Sequence, residues 1–110
     1  MMQMSQVQDK LNRIEQFADQ AVAAMRKSSG QTSDELRRCV DDMHAQAREV
    51  RNMAQQSGDQ SQIASRVDQL EETGDRAKEA CRKAQGVDPQ LQSAVMQAHD
   101  QISDLKKQLH

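Results

Sequence analysis

The sequence predicts an all-α fold, an antiparallel up-down-up-down four-helix bundle with coiled-coil-like heptad seams. Two observations carry the prediction. Apolar and small residues recur at alternating steps of three and four in four separate segments, and no segment alternates with the period of a strand. The breaks between segments hold Gly30, Gly58 and Gly86, each 28 residues, or four heptads, after the last. The domain expected is a single bundle over 1–110, with helices at about 3–28, 33–57, 60–85 and 89–109.

The first stripe reads Met4, Val7, Leu11, Ile14, Ala18, Ala21, Met25. Spaced this way, the residues form one narrow seam along a helix. Gly30 follows, suited to a left-handed C-cap. The second stripe is Leu36, Val40, Met43, Ala47, Val50, Ala54, and Thr32 with Glu35 before it reads as a capping box. The third is Ile63, Val67, Leu70, Gly74, Ala77, Cys81, Ala84, opened by Asp59 or Ser61. Gly74 within it costs about 1 kcal/mol against Ala, which close packing or a bend would explain. The fourth is Leu91, Val95, Ala98, Ile102, Leu105, Leu109, with Asp88 as N-cap before an N1 proline, Pro89. Stripe positions of the first, third and fourth segments coincide under shifts of 28 residues, as Leu11, Val67 and Val95 do, while the second is one residue out of step. This is a quasi-repeat of pattern, open to duplication or to the demand for equal helix lengths.

Asp9–Arg13, Asp34–Arg38, Glu72–Arg76 and Glu79–Lys83 are i,i+4 pairs in the favourable order. The core expected is Leu11, Ile14, Leu36, Val40, Val50, Ile63, Val67, Leu70, Val95, Ile102 and Leu105. It is thin. Leu, Ile, Val and Phe supply 17 of 110 residues, about 15%, against the roughly 20% below which disorder becomes a concern. Net charge near zero, a single proline and strong periodicity argue for folding nonetheless.

Composition excludes several functions. The longest apolar run, Ala21 to Met25, is far short of a membrane span, and no basic flank leads an apolar stretch near Met1, so neither a membrane segment nor a secretory signal is expected. With 15 basic and 17 acidic residues and one aromatic, Phe17, the chain lacks both the basic surface and the stacking platforms of a nucleic-acid binder. Phosphate loops, G-x-S-x-G and H-E-x-x-H motifs are missing, and so is C-x-x-C-H for haem. The expectation is a cytoplasmic, non-enzymatic protein with no catalytic, cofactor-binding or metal-binding residue.

Several sets of residues bear on chemistry or binding. His44 and His99 fall at the seam margin, and four-helix histidine phosphotransfer domains are similar in architecture. Such chemistry wants a nearby cation. Arg48 follows His44 by one turn, but Asp41 and Asp42 precede it, and His99 is followed by Ile102 and Ser103. A di-metal site would need inward Glu-x-x-His motifs, and Asp41-x-x-His44 is the only approach to one. Cys39, Met43 and His44 suggest soft-metal or redox sensing, the other alternative function. Cys39 and Cys81 lack zinc spacing and read as free thiols or, if close enough, a disulfide. The reading preferred is a protein-interaction or scaffolding bundle. Phe17, Val22, Met53 and Ala80 flank the seams and are expected to leave an apolar strip that binds a partner or a second copy beside Phe17 and Val22.

Overall fold

The computed structural model describes residues 3–27, 33–56, 59–84 and 86–110. Four helices account for 92% of these: α1 (Met4–Lys27), α2 (Asp34–Gln56), α3 (Gln60–Lys83) and α4 (Pro89–Leu109), with no strand among the described residues. Helices of 21 to 24 residues span about 32–36 Å at ~1.5 Å per residue, so the longest dimension, 42 Å, is little more than one helix length.

The directions follow from polar contacts between neighbours. Gln8, Glu15 and Asp19 of α1 meet Ala54, Arg51 and His44 of α2 in turn, so one number rises as the other falls. Asp68, Glu71 and Asp75 of α3 meet His110, Lys106 and His99 of α4 in the same descending order. α2 packs on α3, where Arg66 lies 2.9 Å from Glu49. α1 closes the ring against α4, where Lys10 reaches Gln101 and Asp104. Sequential helices are therefore antiparallel, as short connections require.

The seams point inward as their spacing predicts. All eleven expected core residues are at most 2% exposed. Among the remaining stripe residues, Met4, Ala84 and Leu109 at the helix ends are half-buried. The core falls into two clusters. One, reaching from Val7 to Leu105, is rich in Leu, Ile and Val; the other, around Leu36, Val40, Leu91 and Val95, is nearly half-filled by Ala21, Ala24, Ala77, Ala80 and Ala94. Ala80 corrects the flanking-strip expectation: at 2% exposure it lies inside the bundle, because a methyl group fits a flank that a larger side chain would not.

The helix ends match the sequence in part. Asp59 caps α3 by accepting from the backbone of Ser61 and Gln62, and Asp88 caps α4 by accepting from Gln90 N at 2.7 Å, with Pro89 at N1. The cap of α2 is Ser33, whose Oγ accepts from Leu36 N at 3.2 Å; Thr32, Gly30 and Gly58 lie outside the described residues. Gly86 does adopt a left-handed φ of +72°, but the cap itself is Ala84, in extended conformation two residues earlier. Gly74 is not enforced by crowding. A Cβ there would meet Ile102 Cδ1 at 3.6 Å and His99 Cδ2 at 3.7 Å, both ordinary contacts.

Candidate functional site: matched polar clusters on two helical hairpins

The bundle is two hairpins, α1–α2 and α3–α4, of corresponding construction. A shift of 56 residues carries α1 onto α3, and a shift of 55 carries α2 onto α4. Leu36, Val40 and His44 then fall on Leu91, Val95 and His99; Glu15, Asp19, Ala21 and Ala24 fall on Glu71, Asp75, Ala77 and Ala80. The correspondence extends to contacts. Asp19 binds His44 across α1–α2, and Asp75 Oδ1 lies 2.5 Å from His99 Nε2 across α3–α4. One turn along each hairpin, Glu15 lies 2.8 Å from Arg51, and Glu71 accepts from Lys106 at 2.8 Å. Each hairpin thus carries an Asp–His pair and a Glu–base pair at equivalent levels.

The two clusters differ in burial. The Glu15 side chain is 11% exposed and has two arginines in reach, Arg51 and, at 3.9 Å, Arg48. Its charges meet those of Arg51 without the alignment of a hydrogen bond. Glu71 is 21% exposed and forms a true hydrogen bond, which pushes the Lys106 ammonium above its ordinary pKa, helped by Asp68 and Asp75. Hairpin α3–α4 has one more pair, His110 Nε2 with Asp68 Oδ1 at 2.9 Å, where α1–α2 has Gln55 and Asn12.

This geometry decides what the histidines can do. In both His44 and His99 the ring Nε2 faces a carboxylate, and His99 Nδ1 lies 3.6 Å from Asp100. A phosphoryl group delivered to either Nε2 would be brought against negative charge. Arg48, the cation the sequence offers His44, sits beside Glu15 instead. Cys39 and Met43 share a face of α2, with Met43 in the core and Cys39 half-buried, and among the described residues no three His, Cys, Asp or Glu side chains converge as a metal site would require. Cys39 and Cys81 are free thiols, both raised above the ordinary cysteine pKa, chiefly by burial. No helix among the described residues is long and apolar enough to cross a membrane.

Phe17 and Val22 are both half-buried against the core but lie on opposite flanks of α1. Phe17 is one heptad after Lys10, whose ammonium reaches α4; Val22 is one heptad after Glu15, whose carboxylate meets α2. They do not form one strip. The Phe17 flank instead continues into a shallow groove between α1 and α4 lined by Ala23, Ala24, Pro89 and Ala94. The sequence hid the paired clusters because nothing in a single helix states which residue of its neighbour it faces. No known family model matches the chain, and neither a curated protein nor a solved structure does.

Proposed function

We propose that this protein is a non-enzymatic interaction module that docks an amphipathic helix, from a second copy or another protein, on the α1–α4 flank beside Phe17. The observation that carries the reading is where the two hairpins stop corresponding. The α1–α4 flank presents Phe17, Ala23 and Pro89. The positions equivalent to these on α3 and α2 are Thr73, Glu79 and Asp34. Likewise Val22 stands where α3 has Lys78. The scaffold repeats while the apolar flank residues occur once, which is the pattern of a fastening frame with one specialised face.

The chemistry of the remaining polar groups supports the same reading. The three histidines and the two buried or half-buried glutamates join helix to helix, so they serve the frame. Docking on the groove lined by Ala23, Ala24, Pro89 and Ala94, with half-buried Phe17 one heptad before Ala24 on the same flank, would bury apolar area, while Lys27 in the lining could meet an acidic residue of the partner. Sedimentation equilibrium of the full chain should show a dimer forming at high micromolar concentration when no other partner is present. Phe17→Glu should weaken it with helix content unchanged. A chain that stays monomeric at millimolar concentration, or whose association ignores Phe17→Glu, contradicts the proposal.

A further inference from the structure

The two hairpins meet along two joints, α4–α1 and α2–α3, and only the second holds thiols on both sides. Cys39 of α2 is half-buried and packs against the apolar cluster that contains Ala77, Ala80 and Cys81 of α3. Arg76 of α3 acts on the Cys39 thiol, and Cys39 in turn acts on that of Cys81, so Cys39 faces this stretch of α3. A disulfide needs Cα atoms within about 7 Å, closer than the ~8–10 Å of most helix pairs, and so needs small residues at the contact. Ala77 and Ala80 supply them, at 0% and 2% exposure. In the equivalent joint the corresponding positions are Ala94 and Met25, so the thiol pair belongs to this joint alone.

We infer that Cys39 and Cys81 form an interhelical disulfide on exposure to a small-molecule disulfide oxidant such as oxidised glutathione, fastening the two hairpins across the α2–α3 joint. Cys39, the more exposed thiol, reacts first: its thiolate attacks one sulfur of the oxidant, and one glutathione thiolate leaves. The Cys81 thiolate then attacks Cys39 Sγ, the mixed disulfide breaks, and the second glutathione leaves. The two protein thiols give up two protons and two electrons, and the oxidant becomes two thiols. The chain already connects α2 to α3 at the far end of this joint, where α2 ends at Gln56 and α3 is capped by Asp59. The new bond would close the near end. Oxidation would thus decide whether the hairpins can part.

Burial holds both thiols protonated at neutral pH, so exchange should be slow there and quicken in mild alkali. The native full chain should be incubated with oxidised glutathione at about pH 8.5, close to the free thiol pKa. The expected product is a monomer lighter by the mass of two hydrogens, with no titratable thiol. Its melting temperature should be higher than that of the reduced chain by more than about 5 °C, because closing a long loop restricts the unfolded state. Cys81→Ser should instead stop at a glutathione adduct on Cys39. A persistent glutathione adduct on the unaltered chain, covalent dimers, unreacted thiols, or an intramolecular disulfide that lowers the melting temperature would each overturn the inference.

Discussion

Hairpins α1–α2 and α3–α4 solve one structural problem with one set of parts. In each, a carboxylate on the first helix receives a histidine from the second, and a glutamate one turn away receives a base. The parts are used at different depths. Glu15 is nearly buried between two arginines, whereas Glu71 is shared with a half-exposed lysine and lies beside a third histidine pair. The lesson is that interhelical fastening can be duplicated while its energetics diverge, since the value of an ion pair depends on how much water remains around it. The flanks diverge further: α1 carries Phe17 and Val22 where α3 carries Thr73 and Lys78.

The largest test of the correspondence is in the core. Ile14 and Leu70 are equivalent, and both are fully buried. Ile14→Ala and Leu70→Ala should each cost about 2–5 kcal/mol in denaturant unfolding. A loss below about 0.5 kcal/mol at either site would break the equivalence of the two seams.

The clusters should separate next. Glu15→Gln removes a largely buried carboxylate from between Arg51 and Arg48 and should cost about 1–3 kcal/mol, by the loss of a charged partner. Glu71→Gln, more exposed and still able to accept from Lys106, should cost under about 1 kcal/mol. Equal losses would show that the difference in burial has no energetic meaning.

Gly74 and Ala18 are equivalent positions with different residues. A methyl group at 74 meets only ordinary contacts, so Gly74→Ala should stabilise by about 0.5–1 kcal/mol through helix propensity and a less flexible unfolded chain. Ala18→Gly should lose about as much. Destabilisation by Gly74→Ala would mean that the α3–α4 contact at His99 is tighter than its α1–α2 counterpart.

The smallest effect concerns the one cysteine in each hairpin. Both thiols are raised above their ordinary value, so the folded chain holds these protons more firmly than the unfolded chain. Their contribution to stability is present below about pH 9 and falls as pH rises through the folded pKa values. Alkylation should follow exposure, with Cys39 faster than the buried Cys81 and both slow at pH 7. Faster alkylation of Cys81 would reverse the depths assigned to α2 and α3 at this joint.

Much of this fold was legible in the chain. The step of three and four placed all eleven expected core residues on the correct side of their helices, because helical period depends only on local geometry, but it left out the buried flank alanines Ala24, Ala80 and Ala94. Asp59 and Asp88 were legible as caps for the same reason. The hairpin correspondence was not. A 28-residue shift superposes antiparallel neighbours, whose flanks face different helices; the 55- and 56-residue shifts superpose helices that run in one direction between equivalent neighbours. Glu15 and Thr73 were also missed inside the bundle. Neither lies on a stripe, and each is accommodated by contacts a stripe cannot show: Arg51 across α1–α2 for Glu15, and the backbone oxygen of Gln69 for the Thr73 hydroxyl.

The central claim is that one frame occurs twice and that the α1–α4 flank is its specialised face. The direct measurement gives α1 the flank residues of α3, through Phe17→Thr with Ala23→Glu in the full chain, and follows mass by sedimentation equilibrium from micromolar to millimolar concentration. The account predicts a monomer throughout for the variant, with helix content retained, against a concentration-dependent dimer for the unaltered chain. Association of the variant equal to that of the unaltered chain would contradict it.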